Sequence, residues 1–242
     1  MISRRLKTNT YAISTMIIAL IIIIVVALIS AGVAAVAFFG LWNPFGKVVG
    51  SGTFESQKKD FMDFTIVEVG GGFEVEILQS SSYDITITAD DNMFNYIEVS
   101  KTGDTLTIGL KWGYDYQNVS LKAKIKMPDL YGLMFSGGTH GTAQEFSSSH
   151  DLELSLSGGS IVSVEGEAND LTASGSGGSQ LDLSEFPVHD ATVNLSGGSH
   201  ATIHLDGRLE GTLSGGSHLK YLGDPNPIDV STSGGSTVGP KQ

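Results

Sequence analysis

The chain contains no cysteine, which excludes a disulfide framework, a cysteine-based zinc site and a thiol nucleophile. Aromatic residues are scarce in its C-terminal half: after Phe135 only Phe146, Phe186 and Tyr221 occur, so ring platforms for holding sugars are few. Basic residues are also scarce. Beyond the apolar stretch near the N-terminus, 11 basic side chains face 26 acidic ones, a net of −15. Such a field repels nucleic acid and anionic headgroups, and it excludes DNA or RNA as a partner. No Gly-x-Ser-x-Gly elbow, P-loop, His-Glu-x-x-His or EF-hand loop is present. The calcium-binding nonapeptide repeat is missing too, because the place of its Asp is taken by Val162, Leu181, Ala201 and Leu219.

What the chain does contain is a recurring corner. Ser136-Gly137-Gly138-Thr139 returns as Ser157-Gly158-Gly159-Ser160, Ser176-Gly177-Gly178-Ser179 and Ser196-Gly197-Gly198-Ser199. It returns twice more, as Ser214-Gly215-Gly216-Ser217 and Ser233-Gly234-Gly235-Ser236. The intervals between leading serines are 21, 19, 20, 18 and 19 residues, the period of a stacked repeat. Apolar residues alternate with polar ones on both sides, as in Leu152, Leu154, Leu156 and then Val162, Val164. A period of two is a strand signal, and no 3.6-residue period competes with it. Each coil therefore reads as strand, glycine corner, strand and looser turn. A flexible Gly/Ser linker would lack the regular Leu, Val and Ile. Stacked coils turn the first and fourth corner positions into hydroxyl ladders. Such arrays can order water or bind repeating polymers, though the Thr-x-Thr ranks favoured for ice are missing.

Residues 12–39 are almost wholly apolar, preceded by Arg4, Arg5 and Lys7. That length suits a transmembrane helix, and the basic flank predicts a cytoplasmic N-terminus with the remainder outside the cell. The expected organisation is a cytoplasmic segment 1–11, the membrane helix 12–39 and a linker 40–52. N-terminal β coils and a cap then occupy 53–135, and the regular repeats 136–242. Cleavage as a secretory signal competes with anchoring. Residues 64–127 carry further period-two runs, among them Val119 to Met127 with Lys122, Lys124 and Lys126 on the opposite side. These lysines read as a solvated strand face or a guard on an edge strand. Little sequence follows the last corner to cover its edge, so a second copy of the chain is one partner to consider.

Several short signatures converge on a known family. They are Phe64-x-Ile66-Val67-Glu68, Gly72-Phe73-x-Val75-x-Ile77-x-Gln79, Gly103-Asp104-x-Leu106-x-Ile108, Met127-Pro128-Asp129-Leu130 and the serial Ser-Gly-Gly. Over about residues 60–238 the chain resembles the putative auto-transporter adhesin head GIN domain family. The resemblance implies a β-helix-like stack of strands at the cell surface. It brings no catalytic residues to carry over.

The expected fold is therefore all-β: a right-handed parallel β-helix-like solenoid of about 18–21 residues per coil, preceded by one transmembrane α-helix. Its structural residues are Gly137, Gly138, Gly158, Gly159, Gly177, Gly178, Gly197, Gly198, Gly215, Gly216, Gly234 and Gly235. His140, His200 and His218 share one place after the corner. His200 and His218, on adjacent coils, are the candidates for sharing Zn²⁺ or Cu²⁺, against a plain solvated polar ladder. Glu165, Glu167, Asp182, Glu185 and Asp206 lie at the looser turns without forming a repeated pair. Asn118 and Asn194 fit the glycosylation acceptor pattern. The expectation is a non-catalytic, membrane-anchored extracellular domain for adhesion, binding or scaffolding. No cofactor is expected; the partners are the bilayer, through the N-terminal helix, and a surface glycan or protein ligand. The competing reading is a polysaccharide-processing enzyme on a β-helix.

Overall fold

The computed structural model describes residues 46–241. In chain order the strands are β1 (Lys47–Val49), β2 (Phe54–Lys59), β3 (Ile66–Gly70), β4 (Glu74–Gln79), β5 (Asp84–Asp90), β6 (Ile97–Thr102), β7 (Thr105–Leu110), β8 (Asp115–Gln117), β9 (Leu121–Met127) and β10 (Gly132–Ser136). They continue as β11 (His140–Ser147), β12 (Leu152–Leu156), β13 (Ile161–Glu167), β14 (Leu171–Gly175), β15 (Gln180–Val188), β16 (Ala191–Leu195), β17 (His200–Leu205), β18 (Leu209–Leu213), β19 (His218–Leu222), β20 (Ile228–Thr232) and β21 (Thr237–Pro240).

The chain divides into two units, one holding residues 1–48 and 113–115, the other residues 49–112 and 116–242. In the described part of the first, the Asp115 N–H donates to the Gly46 carbonyl at 3.3 Å. Within the stretch expected as linker, Lys47–Val49 form a strand, and β1 and β8 make a two-stranded sheet.

The second unit is a stack of two-strand coils. From β10 onward each coil gives its first strand to a nine-stranded sheet and its second to a ten-stranded sheet, crossing between them at the glycine corner. Neighbouring coils pair in parallel without slippage at the corner: Thr172 sits against Thr192, and Gln180 against His200. Alternation along each strand sends every second side chain inward. Leu152, Leu154, Leu156, Val162 and Val164 are all 2% exposed or less. Burying each aliphatic side chain contributes roughly 1.5–3 kcal/mol, but a lone coil has nothing to bury it against. Stability therefore comes from neighbouring coils.

The stack does not follow chain order. β3 and β4 form a coil around Gly71-Gly72, and β10 and β11 pair directly onto it. On the other side of that coil lie β7, parallel to β3, and β9, parallel to β4. The end beyond them is closed by antiparallel strands: β6 on β7, β5 on β9 and β2 on β5. A 3-10 turn (Asp91–Met93) links β5 to β6 and places Met93 in the core at 0% exposure. Asp90, also buried, accepts hydrogen bonds from the Gly52 N–H at 2.7 Å and the Ser120 N–H at 2.8 Å.

These findings correct the expected fold class on two points. A uniformly parallel coil does not describe the chain, because β2, β5 and β6 are antiparallel and the 105–127 coil lies out of sequence order. Nor does a transmembrane helix belong to the observed architecture. The described residues fold as strands with one 3-10 turn, and no helix among them is long and apolar enough to cross a membrane. The helix expected over 12–39 lies outside the described residues.

Candidate functional site

The glycine corners position both outer faces. Both glycines of every Ser-Gly-Gly corner have positive φ, 64° and 78° at Gly197 and Gly198, a region costly to side chains with a Cβ. The first glycine also carries a packing constraint. A Cβ on Gly197 would stand 3.0 Å from the Gly177 backbone nitrogen, and one on Gly177 would stand 3.2 Å from that of Gly158. The contact repeats from Gly234 down to Gly137, which rests on Gly71. The second glycines meet nothing within 4 Å, apart from Gly72, which faces the Gly137 carbonyl at 3.8 Å.

The fourth corner residue closes the turn from inside. Thr139, Ser160, Ser179, Ser199 and Ser217 are fully buried, and each hydroxyl donates to the carbonyl of its own leading serine at 2.7–2.8 Å. A buried hydroxyl needs a hydrogen-bond partner, and the corner carbonyl three residues back supplies one. This ladder is thus internal, not a surface array.

A second ladder runs along the opposite turns. Asp151 Oδ1 accepts from the Asp170 N–H at 3.3 Å, Asp170 Oδ1 from the Asp190 N–H at 3.0 Å and Asp190 Oδ1 from the Arg208 N–H at 2.6 Å. Each carboxylate thereby ties its coil to the next. Beside this ladder, Ser148, Glu167, Asn169, His189, His204 and Asp206 border a groove of about 450 Å³. His189 Nδ1 lies 2.9 Å from Asp206 Oδ1. That hydrogen bond, helped by the charge of Asp190, raises the His189 pKa above its ordinary value.

The outer face of the ten-stranded sheet is charged at one end and imidazole-bearing at the other. Lys122 pairs with Glu74 at 2.7 Å and Lys124 with Glu76 at 2.9 Å, so the two lysines join neighbouring strands. His140, Ile161, Gln180, His200, His218 and Thr237 occupy one column across successive strands. The His200 and His218 rings lie 5.0 Å apart, and His218 Nδ1 is 2.7 Å from Thr237 Oγ1. Among the described residues no group of three or more His, Cys, Asp or Glu side chains could hold a metal ion.

The outer face of the nine-stranded sheet carries one uncharged column beside a mixed one, which runs Glu153, Thr172, Thr192, Glu210 and Asp229. Ser155, Ser174, Asn194, Thr212 and Ser231 form one column, with Thr172 and Thr192 in the next. Together with Ser157, Ser176 and Ser196 the first column borders a shallow groove of about 290 Å³. Thr212 Oγ1 donates to Asn194 Oδ1 at 2.7 Å, so this acceptor asparagine is already engaged on an exposed strand. Asn118 sits in a loop at φ 50°.

Residues 63–225 match the family described as "Putative auto-transporter adhesin, head GIN domain". The chain belongs to this family. None of the curated proteins matches it. Among solved structures, a putative adhesin from Bacteroides fragilis is similar with a TM-score of 0.65 and 18% identity, over 80% of this chain and 100% of that one. A putative lipid binding protein from Parabacteroides distasonis is similar with a TM-score of 0.51 and 18% identity, over 81% of this chain and 100% of that one. At such identities the likeness concerns the fold.

For a GIN-domain chain, the structure gathers the twelve corner glycines along one edge and brings His200 beside His218. His140 shares their column but stands three strands from His200. The residues missed by sequence reading are Gly71, the aspartate ladder and the His189–Asp206 pair. Of these the aspartate ladder was within reach of the repeat period: Asp151, Asp170 and Asp190 are 19 and 20 residues apart.

Proposed function

We propose that the chain is a binding domain at the outer surface of the cell membrane, which uses the outer face of the nine-stranded sheet to hold a neutral glycan. Membership of an adhesin family supports a binding role. The observation that carries the reading is the uncharged hydroxyl and amide column Ser155, Ser174, Asn194 and Thr212 along an open groove, with Thr172 and Thr192 beside it and Glu153 and Glu210 flanking those threonines. Successive side chains in a column stand ~4.8 Å apart, so the face offers the same donors and acceptors repeatedly to a polymer of repeating hydroxyls. The acidic surroundings disfavour polyanions. The surface location rests on the sequence: Arg4, Arg5 and Lys7 precede the apolar run, and the acidic remainder follows it.

The test is affinity electrophoresis of the full chain in gels containing β-glucan, mannan or galactan. The reading expects retardation by at least one polymer, its loss in Ser174→Lys and Asn194→Lys, and no shortening of the polymer. Unchanged mobility in all three gels overturns it. A second reading, glycan processing, is favoured by the His189–Asp206 pair bordering its own groove. Release of oligosaccharides, abolished by His189→Ala, would establish that reading instead. Protease treatment of intact cells tests location: the domain should be degraded without lysis.

A further inference from the structure

Four of the six large apolar side chains that stay exposed among the described residues, Val49, Phe54, Met62 and Trp112, belong to segments at the antiparallel end of the stack. Phe54, 63% exposed, opens β2, the edge strand of the ten-stranded sheet, and Met62 follows that strand. Trp112, 86% exposed, follows β7, which pairs with β6, the edge strand of the other sheet. The Val49 carbonyl accepts from Asn92 Nδ2 at 2.8 Å, which fixes it to the turn between β5 and β6. Trp112 is presented from a braced position. The Tyr116 hydroxyl donates to the Lys111 carbonyl at 2.7 Å, the Lys111 N–H donates to the Tyr96 carbonyl at 2.8 Å, and the two tyrosine rings meet edge-on at 6.0 Å.

Charge is divided along the same direction. Residues 46–126 hold 8 basic and 12 acidic side chains, net −4, whereas residues 127–242 hold 3 basic and 14 acidic, net −11. Exposed large apolar side chains concentrated at one end of a fold mark a contact surface, and tryptophan favours the boundary between hydrocarbon and water. Nine residues, 40–48, connect Val49 to the apolar run of the sequence, a covalent reach of roughly 30 Å.

We infer that Val49, Phe54, Met62 and Trp112 form a face that docks onto a lipid bilayer, with the acidic repeats turned away from the headgroups. This rests on the cell-surface reading above. It adds an orientation: the antiparallel end lies at the membrane, and the neutral hydroxyl column stands on coils directed outward.

The experiment uses the full chain bound to phosphatidylcholine vesicles with or without brominated acyl chains. The chain has two tryptophans, Trp42 and Trp112, so Trp42→Phe leaves Trp112 as the reporter and Trp112→Phe leaves Trp42. The expected result is blue-shifted Trp112 emission that brominated lipid strongly quenches, with quenching reduced when Phe54→Asp and Met62→Asp are added. If the chain floats with the vesicles and Trp42 is quenched but Trp112 emits as in water, docking is overturned while surface attachment stands, and the exposed face then serves a protein or glycan partner. If the chain does not float with the vesicles, both readings fall.

Discussion

Alanine at Gly197 and at Gly198 separates two demands that sequence alone cannot. Both residues have positive φ, 64° and 78°, so either substitution meets left-handed backbone strain of about 1–2 kcal/mol. Both also restrict the unfolded chain alike, which cancels in the comparison. The space around them differs. At Gly198 a Cβ meets nothing within 4 Å, whereas at Gly197 it stands 3.0 Å from the Gly177 nitrogen and 3.5 Å from its Cα. Those atoms are backbone of the adjoining coil, so the stack must open locally, an overpacking cost of about 1–3 kcal/mol. G198A should lose about 1–2 kcal/mol and G197A about 2–5 kcal/mol, a large part of the roughly 5–15 kcal/mol typical of a domain. Urea titration followed by the far-ultraviolet β signal provides the assay. Equal losses, within about 0.5 kcal/mol, would refute the claim that first glycines bear on one another between coils.

Ser179→Ala removes the buried hydroxyl that donates to the Ser176 carbonyl at 2.7 Å and should cost about 0.5–1.5 kcal/mol; Ser176→Ala, whose side chain is not part of that bond, should cost less in the same urea titration. His189 has a raised pKa through Asp206 and then Asp190. Its contribution to stability is full below the unfolded value near 6.5 and is lost as pH rises through the higher folded value. Proton NMR of the imidazole should show His189 titrating above the ordinary range and shifting down in Asp206→Asn; an unchanged midpoint would remove the assigned cause.

The repeats were legible because one physical requirement, a backbone turn with positive φ packed against the next, admits glycine alone and recurs every coil. Alternation of Leu and Val fixed which residues face inward for the same reason. The coil at Gly71-Gly72 escaped notice because Gly70 and Phe73 replace the flanking serines, and because residues 80–131 separate it from the coil stacked on it. Chain order and stacking order differ there, and no local pattern encodes that. The fourth-position hydroxyls looked like a surface ladder since serine is usually exposed; they are buried, each donating to the carbonyl of its own leading serine, as Ser160 does to Ser157. His200 and His218 met as their spacing implied. His189 and Asp206 were overlooked because their partnership crosses from one turn to the next, 17 residues on.

The central claim is that equivalent positions of successive coils lie side by side, and cysteine cross-linking tests it directly because the chain has no cysteine of its own. Thr172 and Thr192 are paired across β14 and β16, and Glu210 is one strand further on. Adjacent strands are ~4.8 Å apart, within the roughly 4.4–6.8 Å between Cα atoms that a disulfide spans, and two strands are not. Under mild oxidation the folded T172C/T192C variant should close its disulfide rapidly, while T172C/E210C stays reduced. Equal yields from the two pairs, or closure only of the second, would contradict the stack.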